Sequence, residues 1–502
     1  MLWIPFEDRI VTMWLELFIF ALLVLLLRYY FTRPSGMPPG PMVIPYLGNL
    51  SLLKISMIET LRKKYGDIFK TELGANKFIF LCNYKLIKEA MSRAELSDRP
   101  KIDLGLIISD GVPAGVIMTN GKHWQNARRF LLRNLRDLGM GKTYLEDAIQ
   151  REAQLLVEDF KTLSGSPTLF PKSLNVAVLN VVWQMVASTR YDMDDERVLS
   201  FINIIRSLDA TFIVVILEFF PIIKTIIPDF IKKRLAIYKT TAKMRKEANA
   251  LVQDLKATHR AKLDPDNPRD VIDEYLIAMD NKSDIAEYFS ELDLVSVTFD
   301  LFNAGFDTTS NMLRWIILYM IKYPEVQRRV QEQIDEVVPR DALPSYHHKP
   351  NLPLVEAMIH EALRVSSMAA LGVERSPNRD IEVGGYLIPK GSFVFAAAIC
   401  CHHDPQYWEH PDQFRLEHFL DEQGNFASHK EGFLPFGTGR RSCLGESLAR
   451  MELFLFSSAL FQNFTFSAPE GCEVNLKENS RLPTIRMSID QNIVITPRMN
   501  ES

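Results

Sequence analysis

The chain has 502 residues, of which 47% are apolar, and its formal net charge is −4 at pH 7. That size and apolar content are ample for a large core, while the slightly negative charge and the lack of a polybasic block argue against nucleic acid as a partner. The five cysteines are odd in number and show no spaced framework of the secreted kind, which favours a reducing compartment.

An apolar run stands at the start of the chain. Between residues 11 and 27 only Glu16 is charged, and Arg28 and Arg33 follow the run. A cleaved signal peptide would show small residues at a cleavage site instead. Residues 1–33 are therefore predicted to form a membrane anchor that is short for a span and depends on its flanks, with a buried core helix as the alternative. The downstream arginines predict that the body of the chain lies in the cytosol.

A segment rich in proline and glycine follows, from residue 34 to residue 49. Proline fixes φ and cannot continue a helix, so the segment is predicted to be a stiff hinge between the anchor and the rest of the chain. After residue 50 helical patterns dominate. Short strand-like runs occur near residues 78–81 and 381–388.

Residues 210–230 are very apolar, but Glu218 and two prolines interrupt them. Because spanning a membrane with these residues would be costly, two interpretations stay open: a surface that dips into a bilayer, and an ordinary core helix. Residues 256–270 are charged and contain two prolines, which predicts a solvated loop.

A helix is predicted to begin after Gly121. Trp124 and Arg128 are four residues apart on it and point toward one partner. A basic stripe on another face consists of Arg129, Arg133 and Arg136. The stripe is either a solvated face or a docking surface for an acidic electron donor.

A long helix is predicted from residue 291 to residue 322, ending before Pro324 and spanning about 48 Å. Its middle contains Ala304-Gly305-Phe306-Asp307-Thr308-Thr309, a poor choice for the centre of a buried helix. Threonine hydroxyls can bond back to the helix and open a local kink. Taken alone, the motif is either a plain kink or a functional groove.

The most informative stretch runs from Phe436 to Gly445 and contains Cys443. Its glycines let the backbone turn tightly and approach a flat ligand. A cysteine at a helix N-terminus, beside Arg440 and Arg441, is biased toward thiolate. Such a thiolate is a metal ligand or a nucleophile, but no histidine lies near it in sequence to act as a base. A structural cysteine would not need these neighbours.

The pattern Phe-x-x-Gly-x-Arg-x-Cys-x-Gly resembles the haem-binding loop of the cytochrome P-450 monooxygenases, with Phe436, Arg441, Cys443 and Gly445 at fixed positions. The resemblance implies that Cys443 is the axial iron ligand, whose electron donation favours O–O cleavage. Residues 304–308 likewise resemble the Ala-Gly-x-Asp-Thr motif of that family. By this resemblance Thr308 donates to iron-bound dioxygen and Asp307 helps to deliver protons.

The same resemblance implies roles for residues whose local patterns are weak. The residues expected to bind the haem propionates are Trp124, Arg128, Arg375 and Arg441. Glu361 and Arg364 share a helix face and match a buried structural ion pair beneath the haem. The third partner in the family is usually an arginine, but here His418 occupies the position, so the bidentate fork of an arginine is lost.

The implied fold is the P-450 fold: mainly α with small β-sheets, a single large haem-binding domain over residues 50–502 behind the anchor. Stretches such as residues 133–142 and 414–426 look like family 2 of the animal microsomal enzymes. That implies haem b (iron protoporphyrin IX), a separate NADPH-cytochrome P-450 reductase, a lipophilic substrate and the endoplasmic reticulum membrane. A haem-thiolate isomerase or dehydratase that acts on peroxides without a reductase is the alternative, but such enzymes often lack the acid–threonine pair.

Overall fold

The computed structural model describes most of the chain in atomic detail. The described residues are 13–21, 23–24, 35–44, 47–49, 55–103, 106, 108–137, 143–206, 212–232, 234–281, 288–428, 430–482 and 484–498. Most of the predicted anchor, residues 1–33, lies outside these ranges. Residues 13–21 and 23–24 are helical, and their large apolar side chains are exposed. Within the described ranges, no helix combines the length and the apolar character that a membrane span requires.

Helices dominate the fold and short strands form small sheets. In chain order the helices are α1 (Ile55–Tyr65), α2 (Tyr84–Ser92), α3 (Gly121–Asp137), α4 (Thr143–Thr162), α5 (Ser173–Ala187), α6 (Glu196–Arg206), α7 (Phe212–Phe219), α8 (Pro221–Ile226), α9 (Asp229–Lys232), α10 (Ala236–Arg260), α11 (Val271–Asp280), α12 (Glu291–Lys322), α13 (Pro324–Val337), α14 (Pro353–Ser366), α15 (Ala398–His402) and α16 (Glu446–Asn463). The mainly helical prediction is confirmed.

The strands are β1 (Ile68–Leu73), β2 (Asn76–Leu81), β3 (Thr168–Leu169), β4 (Ile381–Val383), β5 (Tyr386–Ile388), β6 (Phe393–Ala396), β7 (Phe464–Ser467), β8 (Glu478–Leu482), β9 (Ile485–Ser488) and β10 (Asn492–Pro497). One sheet has the order β1-β2-β6, in which β1 and β2 are antiparallel and β2 and β6 are parallel. A second sheet has the order β3-β10-β7, and two hairpins complete the set.

The core is built around α12, which packs along α5 and also contacts α14 and α16. Nearly every residue of α5 is buried, so this helix has no solvent-exposed face. A separate cluster of phenylalanines covers one face of the first sheet, where Phe78 stacks on Phe393 at 4.9 Å and Phe80 on Phe395 at 5.3 Å.

Two predicted helix boundaries agree closely with the structure, and one prediction is wrong. α12 spans Glu291–Lys322, capped by the Ser290 side chain, as the pattern predicted. α3 begins at Gly121. The predicted loop over residues 256–270 is helical in its first part, because α10 continues to Arg260. Charge there marks the exposed face of a helix rather than a loop.

The described part of the proline-rich segment is hydrogen-bonded to β1 of the first sheet and to β5. The Lys70 amide donates to the carbonyl of Pro39 at 2.8 Å, and the Leu387 amide donates to the carbonyl of Gly36 at 2.8 Å. A Cβ at Gly40 would lie 2.1 Å from the carbonyl oxygen of Lys70, so only glycine allows this approach. The described part of this segment is therefore held by backbone hydrogen bonds as well as restricted by its prolines.

Candidate active site

The loop that precedes α16 holds Cys443 through its backbone. The Cys443 amide donates to the carbonyl of Phe436 at 3.0 Å, and the Gly437 amide donates to that of Leu434 at 3.1 Å. Gly437 and Gly439 have φ of +69° and +75°, angles that glycine tolerates best. The sulfur therefore sits at a fixed position at the N-terminal end of α16.

The Cys443 side chain is exposed, yet it lies deep enough among protein atoms for burial to raise the pKa of its thiol. The backbone N–H of Gly445 opposes this rise, Glu446 adds to it, and Arg128 opposes it. Arg440 and Arg441 were expected to favour the thiolate form of Cys443, but the arginine whose charge lowers the pKa of this thiol is Arg128. Because the pKa of this thiol is raised, a nearby cation is needed to stabilise its thiolate form.

Four arginines form a cationic cluster beside this loop: Arg99, Arg375 and Arg441 are buried, and Arg128 is half-buried. Burial and mutual repulsion lower the pKa of Arg375 to about 8, and the pKa of Arg441 falls to about 8 for the same reasons. Burial lowers the pKa of Arg99 to about 10. Among the described residues, none of the four forms an ion pair with a carboxylate. Such a cluster lacks a compensating anion.

Two donors in this cluster have no partner. The indole Nε1 of Trp124 and the Nη1 of Arg375 are buried and make no hydrogen bond within the described structure. Leaving a buried donor unpaired costs about 1–3 kcal/mol, so such atoms are expected to face a ligand. A group with two carboxylates supplies both the charge and the acceptors that the cluster lacks. The residues present therefore fit the propionates of a haem.

Arg441 differs from Arg375, because protein acceptors already occupy its guanidinium. Its nitrogens donate to the carbonyl oxygens of Ser97, Val116, Ile117 and Thr119 and to Oδ1 of Asn120. The guanidinium also lies over the Trp124 ring, 4.0 Å from its centroid. Arg441 thus ties the cysteine loop to residues 97–120. Arg128 ties the same loop to α3, through a 2.8 Å hydrogen bond from Nη2 to the carbonyl of Ser442.

The middle of α12 presents the predicted acid–threonine pair. The Thr308 hydroxyl donates to the carbonyl of Ala304 at 2.7 Å, the bond back to the helix that the sequence suggested. Ala304 itself is exposed although its helix crosses the core. The Asp307 carboxylate accepts from Arg206 at 2.9 Å. A polar pair at an accessible position of a buried helix can exchange protons with a bound molecule.

The structure brings together the three residues predicted beneath the haem. Both guanidinium nitrogens Nε and Nη2 of Arg364 donate to the Glu361 carboxylate, at 2.8 and 2.7 Å, and both side chains are fully buried. His418 Nδ1 lies 3.0 Å from Oε1 of Glu361. Burial disfavours the Glu361 anion, but the hydrogen bonds from Arg364 and His418 outweigh it and lower the pKa of Glu361. The imidazole replaces the missing arginine as a donor to this carboxylate.

Sequence reasoning missed three charged residues of the site. Arg99 joins the cationic cluster, but a lone arginine before proline gives no signal. Arg206 reaches Asp307 from a helix about 100 residues earlier in the chain. Asp300 lies half-buried on α12 and accepts from the amides of Val116 and Ile117 at 2.8 and 3.0 Å. Burial raises the pKa of Asp300 to about 7. The available sequence signal for Asp300 was the presence of an acidic residue on a helix that is predicted to cross the core.

The predicted basic stripe lines a surface groove of about 380 Å³ behind the cysteine loop. Its lining includes Arg129, Leu132, Arg133, Arg136 and Arg440. Arg133 and Arg136 are well exposed and their contacts with Asp137 are loose, at 3.9 and 3.7 Å. The stripe therefore keeps most of its positive charge free for an acidic surface.

Comparison with known proteins agrees with this geometry. The sequence model of the cytochrome P450 family matches residues 38–492. Similar proteins include cytochrome P450 2L1 of Panulirus argus, 44% identical over 88% of this chain and 90% of that protein. Cytochrome P450 2B4 of Oryctolagus cuniculus is 37% identical over 90% of this chain and 92% of that protein. Cytochrome P450 2J2 of Homo sapiens is 35% identical over 89% and 88%, respectively.

Proposed function

The chain belongs to the cytochrome P450 family and is a haem-dependent monooxygenase, and from this premise we propose its cofactor form, partners and location. It binds haem b and inserts one oxygen atom from O2 into a lipophilic substrate. The electrons come from NADPH through a separate NADPH-cytochrome P-450 reductase. The protein acts at the endoplasmic reticulum membrane, with its catalytic domain in the cytosol.

The observation that carries the proposal is the uncompensated positive charge around the cysteine loop. Trp124 and Arg375 each hold a buried donor without a partner in the described structure. Arg128 binds the carbonyl of Ser442 and is close enough to Cys443 for its charge to act on the thiol. The two propionates of haem b match the charge and the donors of this cluster. Phe436 and Gly445 belong to the same loop and are proposed to lie against the flat face of the haem.

Cys443 is proposed to hold the iron as a thiolate. When bound, the haem supplies the binding and reductive activation of O2. The chain's own residues then have separate tasks. The Thr308 hydroxyl can turn from the carbonyl of Ala304 to donate a hydrogen bond into the site, and the Asp307 carboxylate takes up protons from solvent.

The basic groove on α3 supports docking of an acidic electron donor. Arg129, Arg133, Arg136 and Arg440 surround the partly exposed Leu132, so the patch combines charge with an apolar centre. The groove also includes Trp124 and Arg128, which places the donor close to the haem edge in this proposal. Salt should weaken such docking because the arginines are exposed.

The acid–threonine pair favours oxygen insertion over a peroxide isomerase. Thr308→Ala is expected to uncouple turnover: NADPH is still consumed, product falls and hydrogen peroxide rises. Unchanged coupling would argue against the role of Thr308, and turnover of a lipid hydroperoxide without NADPH would support the isomerase.

Haem binding tests the site directly. The reduced protein with carbon monoxide should give the difference spectrum of thiolate ligation, and Cys443→Ala should abolish it. Arg375→Met should speed haem transfer to apomyoglobin by about tenfold or more, since a hydrogen bond to a charged group contributes ~1.5–3 kcal/mol. Normal haem retention in Arg375→Met would contradict the propionate assignment.

Arg441→Lys is the contrasting variant. Because Arg441 is bound to protein carbonyls, we expect its loss to lower the free energy of unfolding of the haem-free protein as well. Arg375→Met should leave that value unchanged or raise it, because it removes a buried charge without a partner.

A further inference from the structure

Arg450, in the second turn of α16, contacts three other side chains at once. Its Nε and Nη2 both donate to Oε1 of Glu446, at 3.0 and 2.9 Å, and its Nη1 lies 2.6 Å from Nε2 of His360. The guanidinium also lies over the Phe436 ring, 4.8 Å from its centroid. Because both edges of the guanidinium are bonded and one face is covered, its charge is held at one place beside the cysteine loop.

His360 on α14 supplies a neutral acceptor for this arginine. Its Nδ1 donates to the carbonyl of Glu356 at 2.7 Å, so Nε2 is the nitrogen that accepts from Arg450. Burial and the charge of Arg450 lower the pKa of His360 to about 3, so the imidazole is neutral at physiological pH. The ring is fixed by aromatic neighbours with centroids between 4.6 and 5.5 Å away: Phe419, Phe426 and Phe433.

Glu446 is the acid that Arg450 compensates. It is the first residue of α16 and stands three positions after Cys443. Burial is the main cause of the raised pKa of the Cys443 thiol, and the negative charge of Glu446 adds to it. The charge of Glu446 therefore reaches the sulfur. A cation bound to this carboxylate reduces the negative field there.

Arg450 also contacts the residue that holds the cysteine in place. The carbonyl of Phe436 accepts the Cys443 amide at 3.0 Å, so a shift of Phe436 would move the sulfur. The next residue, Gly437, has no neighbour within 4 Å of the position of a Cβ. Packing of the Phe436 ring therefore fixes this end of the loop, and Arg450 covers one face of that ring.

We propose that Arg450 is a positioning residue that favours one-electron reduction of the bound haem, by compensating Glu446 and by holding Phe436 against the cysteine loop. Reduction adds one electron to a centre that the Cys443 thiolate ligates, and a bare carboxylate nearby would oppose the added negative charge. This inference rests on the proposed function, in which Cys443 holds the haem iron.

The test is a redox titration of the full-length haem-loaded protein with dithionite and dye mediators. The variants are Arg450→Gln, Arg450→Lys, Glu446→Gln and the double change Arg450→Gln with Glu446→Gln, which completes a double-mutant cycle. Arg328→Gln is the matched control, because Arg328 forms the same kind of pair with Glu332, four residues later on α13, at 2.6 Å and in an exposed place.

Arg450→Gln should lower the equilibrium constant for reduction by about threefold or more, because Glu446 is then unpaired near the sulfur. Adding Glu446→Gln should restore at least half of the loss, since it removes that charge. Arg450→Lys keeps the charge but not the planar fork, so its value should lie between those of wild type and Arg450→Gln. Equal values for Arg450→Gln and wild type, no recovery in the double variant, or an equal fall in Arg328→Gln would overturn the inference.

Hydrogen exchange of residues 437–443 gives a second measurement that involves no electron transfer. Arg450→Gln should speed amide exchange in this segment, whereas Arg328→Gln should not. Unchanged exchange in Arg450→Gln would show that Arg450 does not hold the loop and would overturn the inference. If Arg450→Gln retains no haem, Arg450→Lys takes its place in both measurements, and values equal to wild type would have the same meaning. A wild-type protein that takes up no haem would count against the proposed function instead.

Discussion

Gly437 and Gly439 both adopt left-handed backbone angles in the loop before Cys443, but only Gly439 lies against another element. A Cβ at Gly439 would be 2.0 Å from the carbonyl oxygen of Met91 in α2, whereas nothing lies within 4 Å of a Cβ at Gly437. An alanine in the left-handed region costs about 1–2 kcal/mol by itself. An alanine at position 437 would therefore cause backbone strain only, whereas an alanine at position 439 would cause the same strain and a steric clash with α2.

We predict that Gly437→Ala lowers the free energy of unfolding by about 1–2 kcal/mol and keeps haem. Gly439→Ala must in addition displace the backbone of α2, so we expect a loss of about 3 kcal/mol or more and poor haem incorporation. Urea unfolding and the ratio of haem to protein after purification measure both. Equal losses in the two variants would show that the contact with Met91 is unimportant.

At the scale of elements, α5 and α12 approach closely because Gly305 has no side chain. A Cβ at this position would lie 2.6 Å from Cγ2 of Val182. The glycine of the Ala-Gly-x-Asp-Thr motif thus serves the packing of two helices as well as the site. This role depends on a residue more than 100 positions away, and the motif alone gave no sign of it.

Gly305→Ala is expected to destabilise the protein by about 1–3 kcal/mol, the usual cost of overpacking, even though alanine favours the helix. The single change Val182→Ala should also lower the stability of the protein, because it leaves a cavity between α5 and α12. The two changes together should be less harmful than the sum of the single changes, because the new methyl group occupies the space that valine leaves. Additive losses in thermal or urea unfolding would contradict this account.

α10 and α11 are joined by a buried histidine. His259 Nε2 lies 2.8 Å from Oδ2 of Asp270, the N-cap of α11, and Nδ1 lies 2.7 Å from the carbonyl of Leu255. Burial disfavours the imidazolium, but Asp270 and this carbonyl outweigh it and raise the pKa of His259. Asp273 is near enough to complete a set of metal ligands, but Arg269 already binds its carboxylate at 2.6 and 2.8 Å. The cluster is therefore a structural contact.

This contact predicts a pH dependence. Because the pKa of His259 is higher in the folded protein than in the unfolded chain, the stability it contributes is fully present below about pH 6.5 and is lost as the pH rises through the folded pKa. His259→Gln should remove this slope above about pH 6.5. The measurement is the free energy of unfolding in urea at several pH values. An unchanged slope in the variant would contradict the prediction.

At the scale of the whole molecule, local sequence patterns predicted the features that depend on residues close together in the chain. The long helix from residue 291 to residue 322 and the loop around Cys443 both follow from short-range signals. Contacts between distant segments were beyond such signals, because nothing near Arg206 or Asp300 in the chain indicates their partners on or beside α12. The same holds for Arg99, which comes close enough to Arg375 to affect its charge only in the folded protein.

The surface also divides by chemistry. Basic side chains line the groove on α3, while apolar side chains are exposed around α8 and α9, where Ile226 is 73% and Phe230 is 63% exposed. Met42 and Ile44 are likewise exposed beside the first sheet. The turn at Gly74 joins the two apolar regions, since its amide donates to the carbonyl of Leu47 and a Cβ there would lie 2.5 Å from the carbonyl of Phe219.

The exposed apolar side chains in these two neighbouring regions predict a contact with a membrane surface. A chain that starts at residue 34 should still bind vesicles of phosphatidylcholine and phosphatidylserine. Ile226→Ser with Phe230→Ser should weaken that binding by about tenfold or more, because burying one large apolar side chain contributes ~1.5–3 kcal/mol. Leu169→Ser is the matched control, since Leu169 is 55% exposed on β3 in the other sheet. Equal weakening by the control, measured by vesicle sedimentation, would show general stickiness rather than an oriented membrane face.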